Sequence, residues 1–339
     1  MINQTSSLEF YHFPVMLEEV IKICSPQKGG SFVDCTFGGG GYSEKILQYS
    51  KTKVTAFDRD KFVCKIASQL KNKFPKRFDF INKKFSQLNE NVKEASADVV
   101  LFDLGLSSIQ LNNLDRGFSF KSQSKLDMSM GQSDISAERV INNFSEEKLK
   151  SIIKILGEEK EASSIARNII NKRTKKKITK VNQLVEIIKI SKRKNFKSKI
   201  NPSTKTFQAL RMFVNKEISE LIDGISLATK ILKPGGKILV VSFHSIEDKI
   251  VKYLFSNFSL NKSNPSRYFP ESSSDNLVLF ERYKNRVFKP SSSEINKNPA
   301  SRSAKLRFAT RSNQKFKNPE KLKVKFKKYL DLEDNYAKN

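Results

Sequence analysis

Five short, almost unbroken apolar runs constrain this chain most: Ser31–Phe37 (SFVDCTF), Lys53–Phe57 (KVTAF), Phe78–Asn82 (FDFIN), Ala97–Asp103 (ADVVLFD) and Lys237–Phe243 (KILVVSF). A strand with one wet face alternates polar and apolar residues. A short run without alternation reads as a strand covered on both faces, as in a parallel sheet between helices. Helical patterns separate the runs, which is the signature of an α/β fold. The rhythm breaks between Asp103 and Lys237. Residues 111–205 read as mainly polar, basic helices over Ser136–Ile155, Glu158–Asn171 and Val181–Ser191. One long helix, Thr206–Leu232, then stops at Lys233-Pro234-Gly235-Gly236, since Pro and Gly end helices. The expected architecture is a doubly wound sheet domain (residues 1–110 and 206–311) carrying an inserted helical domain (111–205). Further strands are expected near Asn276–Tyr283 and Ala304–Thr310, and a basic, loosely ordered tail over 312–339.

The tips of these strands hold the chemistry. The first leads into Asp34-Cys35-Thr36-Phe37-Gly38-Gly39-Gly40-Gly41-Tyr42-Ser43. Glycines let a backbone turn sharply and approach a ligand, and a helix start beyond them favours a negative group. The dinucleotide fingerprint GxGxxG fails, because its last position would be Ser43. The second strand ends at Asp58, 17 residues past Gly41, where an acid can accept both hydroxyls of a ribose. Two plainer readings stand beside these: the glycines as a tight turn, and Asp58 as a cap on the next helix. The third strand leads to Phe85, an aromatic able to lie on an adenine ring, and the fourth to Asp103-Leu104-Gly105-Leu106-Ser107-Ser108-Ile109-Gln110. In a parallel sheet all four tips open on one crevice.

Composition narrows the partners. Sixty-three Lys and Arg against 35 Asp and Glu give a net charge of +28, which favours a polyanion. The excess concentrates between Asn171 and Lys199, with 12 cations and a single acid, Glu186. Within it Lys175, Lys176, Lys177, Lys192, Arg193 and Lys194 are the candidate phosphate contacts. An ordinary solvated face in a Lys-rich chain is the alternative. Three cysteines without a CxxC pair argue against a disulfide scaffold and a structural zinc site. No His/Cys/acid cluster has metal-ligand spacing, so no metal is expected. Neither a signal peptide nor a membrane span is legible, so a soluble, cytoplasmic protein is expected.

The residues on which these readings converge also carry a resemblance. HFPVML at His12, DCTFGGGGYS at Asp34, DLGLSSIQL at Asp103, RGFSF at Arg116, LDMSM at Leu126, NPSTKTFQALRMFVN at Asn201, KPGGKILVVSFHSIED at Lys233 and NPASRSAKLR at Asn298 are similar to the motifs of the MraW family, the ribosomal RNA small subunit methyltransferases H. The resemblance implies a Rossmann-like methyltransferase sheet with an inserted, mainly helical domain. It also implies S-adenosylmethionine as cofactor, and N4-methylation of a cytidine in the decoding region of small-subunit rRNA. Carried over, its cofactor contacts fall on Gly40, Gly41, Tyr42, Asp58, Phe85, Asp103 and Gln110, with Tyr42 standing where the family has His. Cys35, Lys125, Ser129 and Lys205 are further departures, replacing Gly, Pro, Arg and Arg.

Methylating an exocyclic amine needs a positioned acceptor for its proton. Asp103, Ser107, Ser108 and His244 are the candidates; Asp103 could instead only hold the cofactor, and His244 could be a structural hydrogen-bonder. A nicotinamide-dependent dehydrogenase, a non-enzymatic RNA-binding factor and a small-molecule methyltransferase are the competing readings. The missing GxGxxG, the four convergent strand tips and the long basic insert weigh against them in turn.

Overall fold

The computed structural model describes residues 14–131, 133–192, 201–260 and 277–334. Six strands form one sheet: β1 (Gly30–Asp34), β2 (Thr52–Phe57), β3 (Phe78–Ile81), β4 (Ala97–Asp103), β5 (Leu232–Ser242) and β6 (Lys305–Thr310). Their order is β3-β2-β1-β4-β5-β6, with β1 to β5 parallel and β6 antiparallel beside β5. Asp34 pairs with Leu101 across β1 and β4, and Asp103 with Val241 across β4 and β5, so the carboxyl ends lie level. The order reverses between β1 and β4, where such sheets open a binding crevice. Alternate residues of each strand enter two separate cores, Phe32 and Val99 on one face, Val33 and Val100 on the other. Double burial is what makes the runs continuously apolar.

Helices α1 (Leu17–Cys24), α2 (Gly41–Leu47) and α3 (Cys64–Lys73) supply residues to the first core, and α4 (Ser108–Asn112) follows β4. The insertion contributes α5 (Ala137–Asn143), α6 (Glu146–Gly157), α7 (Ala162–Arg173) and α8 (Val181–Ser191), leading to α9 (Thr204–Asn215) and α10 (Glu217–Ile231). Ile152, Ile165 and Leu184 of the insertion share one buried cluster with Phe102 and Ile225, so its apolar core runs on into that of the sheet. Gly157 allows α6 to meet the start of α9: a Cβ there would lie 2.5 Å from the Lys205 carbonyl oxygen. The chain closes with α11 (Ser245–Asn257), α12 (Ser292–Lys297), α13 (Glu320–Lys325) and α14 (Lys327–Asp334). Among the described residues no helix is long and apolar enough to cross a membrane.

Four expectations need correction. The helix expected over 136–155 is two, because Phe144 is extended and Ser145 caps α6 by accepting from Lys148 N–H at 3.2 Å. The helix expected over 206–232 breaks at Lys216, in the left-handed region at φ 49°. The Asn215 carbonyl is taken by the Arg59 guanidinium (2.7 Å), while the Ile218 and Ser219 N–H groups go to Glu333 (3.0 and 2.9 Å). With those groups engaged outside the helix, the hydrogen-bond ladder cannot run through. Residues 320–334 are helical rather than loose, anchored by the buried Glu333. No strand forms over 277–283: Phe280 makes only isolated bridges, while Arg311 and Ser312 side chains take the carbonyls of Leu279 and Val278.

Candidate active site

A cavity of about 290 Å³ opens at the carboxyl ends of β1, β2, β4 and β5, near the lower end of small-molecule sites. Gly38 and Gly41 of the glycine loop form one wall, and Gly40 between them does not line the cavity. Gly40 has φ 78°, and a Cβ would lie 2.8 Å from the Phe37 ring; a Cβ on Gly41 would lie 2.7 Å from Pro14. The loop therefore accepts no side chain at either position. Tyr42, the departure from the family's His, lines the cavity with its hydroxyl donating to the Val15 carbonyl.

Three carboxylates sit at the strand tips. Asp34 is buried and accepts from Ser43 Oγ (2.7 Å) and Thr36 N–H (3.2 Å); burial still pushes it up to about 6. Asp58 lines the cavity and ties two loops together, accepting from Gly38 N–H and Asp60 N–H, each at 2.8 Å. Loss of water raises it to about 6, against the pull of those N–H groups. It is Asp60, next along, that caps the following 3-10 turn through Phe62 N–H. Asp103 lines the cavity as well. Burial, then the charge of Asp34, lift it to about 7, with Gly105 N–H opposing. Its Oδ1 is enclosed and has no hydrogen-bond partner, a condition that native structures relieve with water, an ion or a ligand.

Gln110 and Ser107 form the neighbouring wall. They cap α4 reciprocally: Ser107 N–H donates to Gln110 Oε1 at 3.0 Å, and Gln110 N–H to Ser107 Oγ at 3.3 Å. Gln110 Nε2 donates to Asp60, which is also ion-paired with the buried Arg116. Gln110 thus joins the cavity wall to a fixed polar network. Phe85 lines the cavity edge-on to Phe102, ring centroids 5.3 Å apart. The Ser108 backbone begins α4; its side chain lies outside what the structure describes.

His244 is not part of the cavity lining; Phe243 and Glu247 are. His244 caps α11, its Nδ1 accepting from Glu247 N–H at 3.5 Å, and its Nε2 lies 3.0 Å from Glu247 Oε1 outside hydrogen-bonding geometry. Burial favours the neutral form of Glu247, but His244 and Arg211 outweigh it and hold the carboxyl below its usual range. Arg211 grips Glu217 with two bonds of 2.8 and 2.9 Å. Glu217, His244 and Glu247 have donor atoms within 4.8 Å of one another, a grouping that linear spacing did not reveal. Glu217 and Glu220 also line the cavity. They were missed because they belong to α10, whose separate start the sequence reading had merged into one helix. Their i, i+3 spacing just after Asn215 was the available signal.

The basic stretch divides. Lys175, Lys176 and Lys177 are exposed beyond the end of α7. Lys192 is no phosphate contact: it is buried and pairs with buried Glu159 at 2.5 Å. Arg193 and Lys194 lie outside the described residues. Of the departures, Lys205 Nζ donates to the Glu158 carbonyl at 2.9 Å, and Ser129 Oγ to Asp127 at 2.9 Å.

Over most of its length the chain is similar to known proteins. Ribosomal RNA small subunit methyltransferase H of Ehrlichia ruminantium (strain Welgevonden) is 43% identical over 305 residues, spanning 88% of this chain and 98% of that protein. The protein of the same name from Neorickettsia sennetsu is 42% identical over 300 residues, 88% and 95% of the two chains. The crystal structure of a rRNA methylase from Streptococcus thermophilus covers 87% of this chain and 96% of its own, with a TM-score of 0.39 and 10% identity. The model of the MraW methylase family matches residues 9–312, and the chain belongs to that family.

Proposed function

We propose that this chain transfers a methyl group from S-adenosylmethionine to the N4 amine of a cytidine in the decoding region of small-subunit ribosomal RNA, acting in the cytoplasm. One observation carries the reading: Asp34, Asp58 and Asp103 converge at the strand tips, with Asp103 Oδ1 unpartnered beside the cavity. Clustered carboxylates favour a ligand bearing positive charge, which would lower their raised pKa values. A sulfonium and an ammonium group meet that demand; a nicotinamide dinucleotide, with its pyrophosphate, does not.

The residues present fit the cofactor. Gly40 and Gly41 would bring backbone close to its methionine end, beside Tyr42. Asp58 has lone pairs left for ribose hydroxyls, Phe85 would lie against the adenine, and Gln110 would close the wall. When bound, S-adenosylmethionine supplies an activated methyl group; the remaining work is that of the chain. A cytosine amine is a weak nucleophile because its lone pair is delocalised into the ring, so positioning carries most of the catalysis. Asp103, the strand-tip carboxylate in the cavity lining, accepts the amine N–H and then its proton. Leu104, Leu106 and Phe243 add apolar lining to the cavity.

The relatives' names support ribosomal RNA as the substrate, and the exposed Lys175, Lys176 and Lys177 are the docking cations of the inserted domain. The test is incubation with labelled S-adenosylmethionine and unmodified small ribosomal subunits, then digestion and mass spectrometry. N4-methylcytidine is the expected product; label in another nucleoside, or none, overturns the proposal.

A further inference from the structure

We infer that Glu220 reads the exocyclic amine of the cofactor's adenine, an inference that rests on the S-adenosylmethionine reading above. Glu220 lies in the first turn of α10, four residues before Gly224, so both look out from one face of the helix. That face meets Phe85: a Cβ on Gly224 would lie 2.3 Å from its ring. Glu220 and Phe85 therefore border the same corner of the cavity. One oxygen of Glu220 is held from the β3 side, Oε1 accepting from Ser86 Oγ at 3.0 Å with Lys84 Nζ at 3.9 Å. Its other oxygen, Oε2, is enclosed and has no hydrogen-bond partner, although the charge of the neighbouring Arg59 guanidinium acts on the carboxylate.

A carboxylate oxygen withdrawn from water and left unpaired is costly, so a donor brought by a ligand would be favoured there. The cofactor has three kinds of donor. Its ribose hydroxyls fall to Asp58, and its ammonium belongs with the methionine end at the glycine loop. The amine of the planar base remains, next to Phe85, the ring assigned above to lie on that base. A carboxylate accepts from the amine of adenine, whereas it repels the keto oxygen of a 6-oxopurine. Glu220 thereby selects the base, a contact that neither the glycine loop nor Phe85 can discriminate.

The experiment measures, by calorimetry, binding of S-adenosylhomocysteine and of its deaminated 6-oxo analogue to the full chain. The wild type should prefer the amine by about 10- to 100-fold, the cost of leaving a buried acceptor unpaired. Glu220→Gln, nearly isosteric, offers an amide N–H to the 6-oxo group and should collapse that preference to within a few-fold. Ser86→Ala, which releases Oε1 without touching Glu220, should narrow it as well. An undiminished preference in Glu220→Gln, or no preference in the wild type, overturns the role of Glu220 while leaving the cofactor reading intact. Failure of the wild type to bind either compound overturns both.

Discussion

Replacing Asp103 with Asn should flatten the pH dependence of stability in the ligand-free protein while crippling methyl transfer. Burial first, and the Asp34 charge second, raise this carboxyl from an ordinary value of 3.8 to about 7. A folded-state pKa above the unfolded one contributes stability that is fully present below the unfolded value and is lost as pH rises through the folded one. At about 1.36 kcal/mol per unit, ionising Asp103 in its enclosure removes about 2–3 kcal/mol of stability between about pH 5 and pH 8. Asn does not titrate, and its amide oxygen can still accept the Gly105 N–H. The stability of Asp103→Asn relative to the wild type should therefore improve by about 2–3 kcal/mol over that interval. Urea unfolding of both proteins at several pH values measures it, with transfer to small ribosomal subunits assayed alongside. Loss of the acceptor should lower turnover by about 100-fold or more. Stability profiles that run parallel for the two proteins would refute the enclosed, raised carboxyl, and undiminished turnover would remove Asp103 from the reaction.

Asp58→Ala strips two backbone N–H groups and a ribose of their acceptor, and cofactor affinity should fall by about 1–3 kcal/mol in calorimetry. Unchanged affinity in the folded variant would sink the assignment. Lys192→Ala leaves Glu159 charged and buried, so chemical denaturation should show a loss of about 3–5 kcal/mol; a loss below about 1 kcal/mol would contradict the buried pair. Changing Lys175, Lys176 and Lys177 together to Gln should weaken binding to small subunits and reduce the slope of log affinity against log salt by about 0.7–0.9 per lost contact. An identical slope would make these lysines a solvated face.

The sheet was legible because parallel strands covered on both faces leave unbroken apolar runs, as ADVVLFD does. The strand-tip residues Asp58 and Asp103 were legible because such a sheet directs its carboxyl ends into one crevice. What escaped depends on partners far apart in the chain. No local pattern shows that Arg59 takes the Asn215 carbonyl while Glu333 takes the next free N–H groups. Yet that conjunction starts α10 afresh and brings Glu217 and Glu220 to the cavity. Lys192 reads like its basic neighbours until Glu159, 33 residues away, is seen beside it. The tail reads as polar because its buried anchors, Leu322, Phe326, Tyr329 and Glu333, are few and widely spaced.

The overall charge and the charge of the cavity oppose one another, and under the proposed reaction the opposition sorts two substrates. A net charge of +28 draws a polyanion to the surface. The cavity, by contrast, is bordered by five acids, Asp58, Asp103, Glu217, Glu220 and Glu247, against two bases, Arg59 and Lys297; Glu217 is matched by Arg211 and Glu247 by His244 and Arg211. Asp58, Asp103 and Glu220 keep capacity for a donor, so the interior favours a cationic sulfonium and resists phosphate. A base carries no charge and presents an amine, so it is the part of an RNA suited to a cavity that Leu104, Leu106 and Phe243 also line. Chemistry on a base edge requires the nucleotide to be unstacked and turned inward, and a basic exterior around an acidic interior favours that posture over one with the phosphates inside.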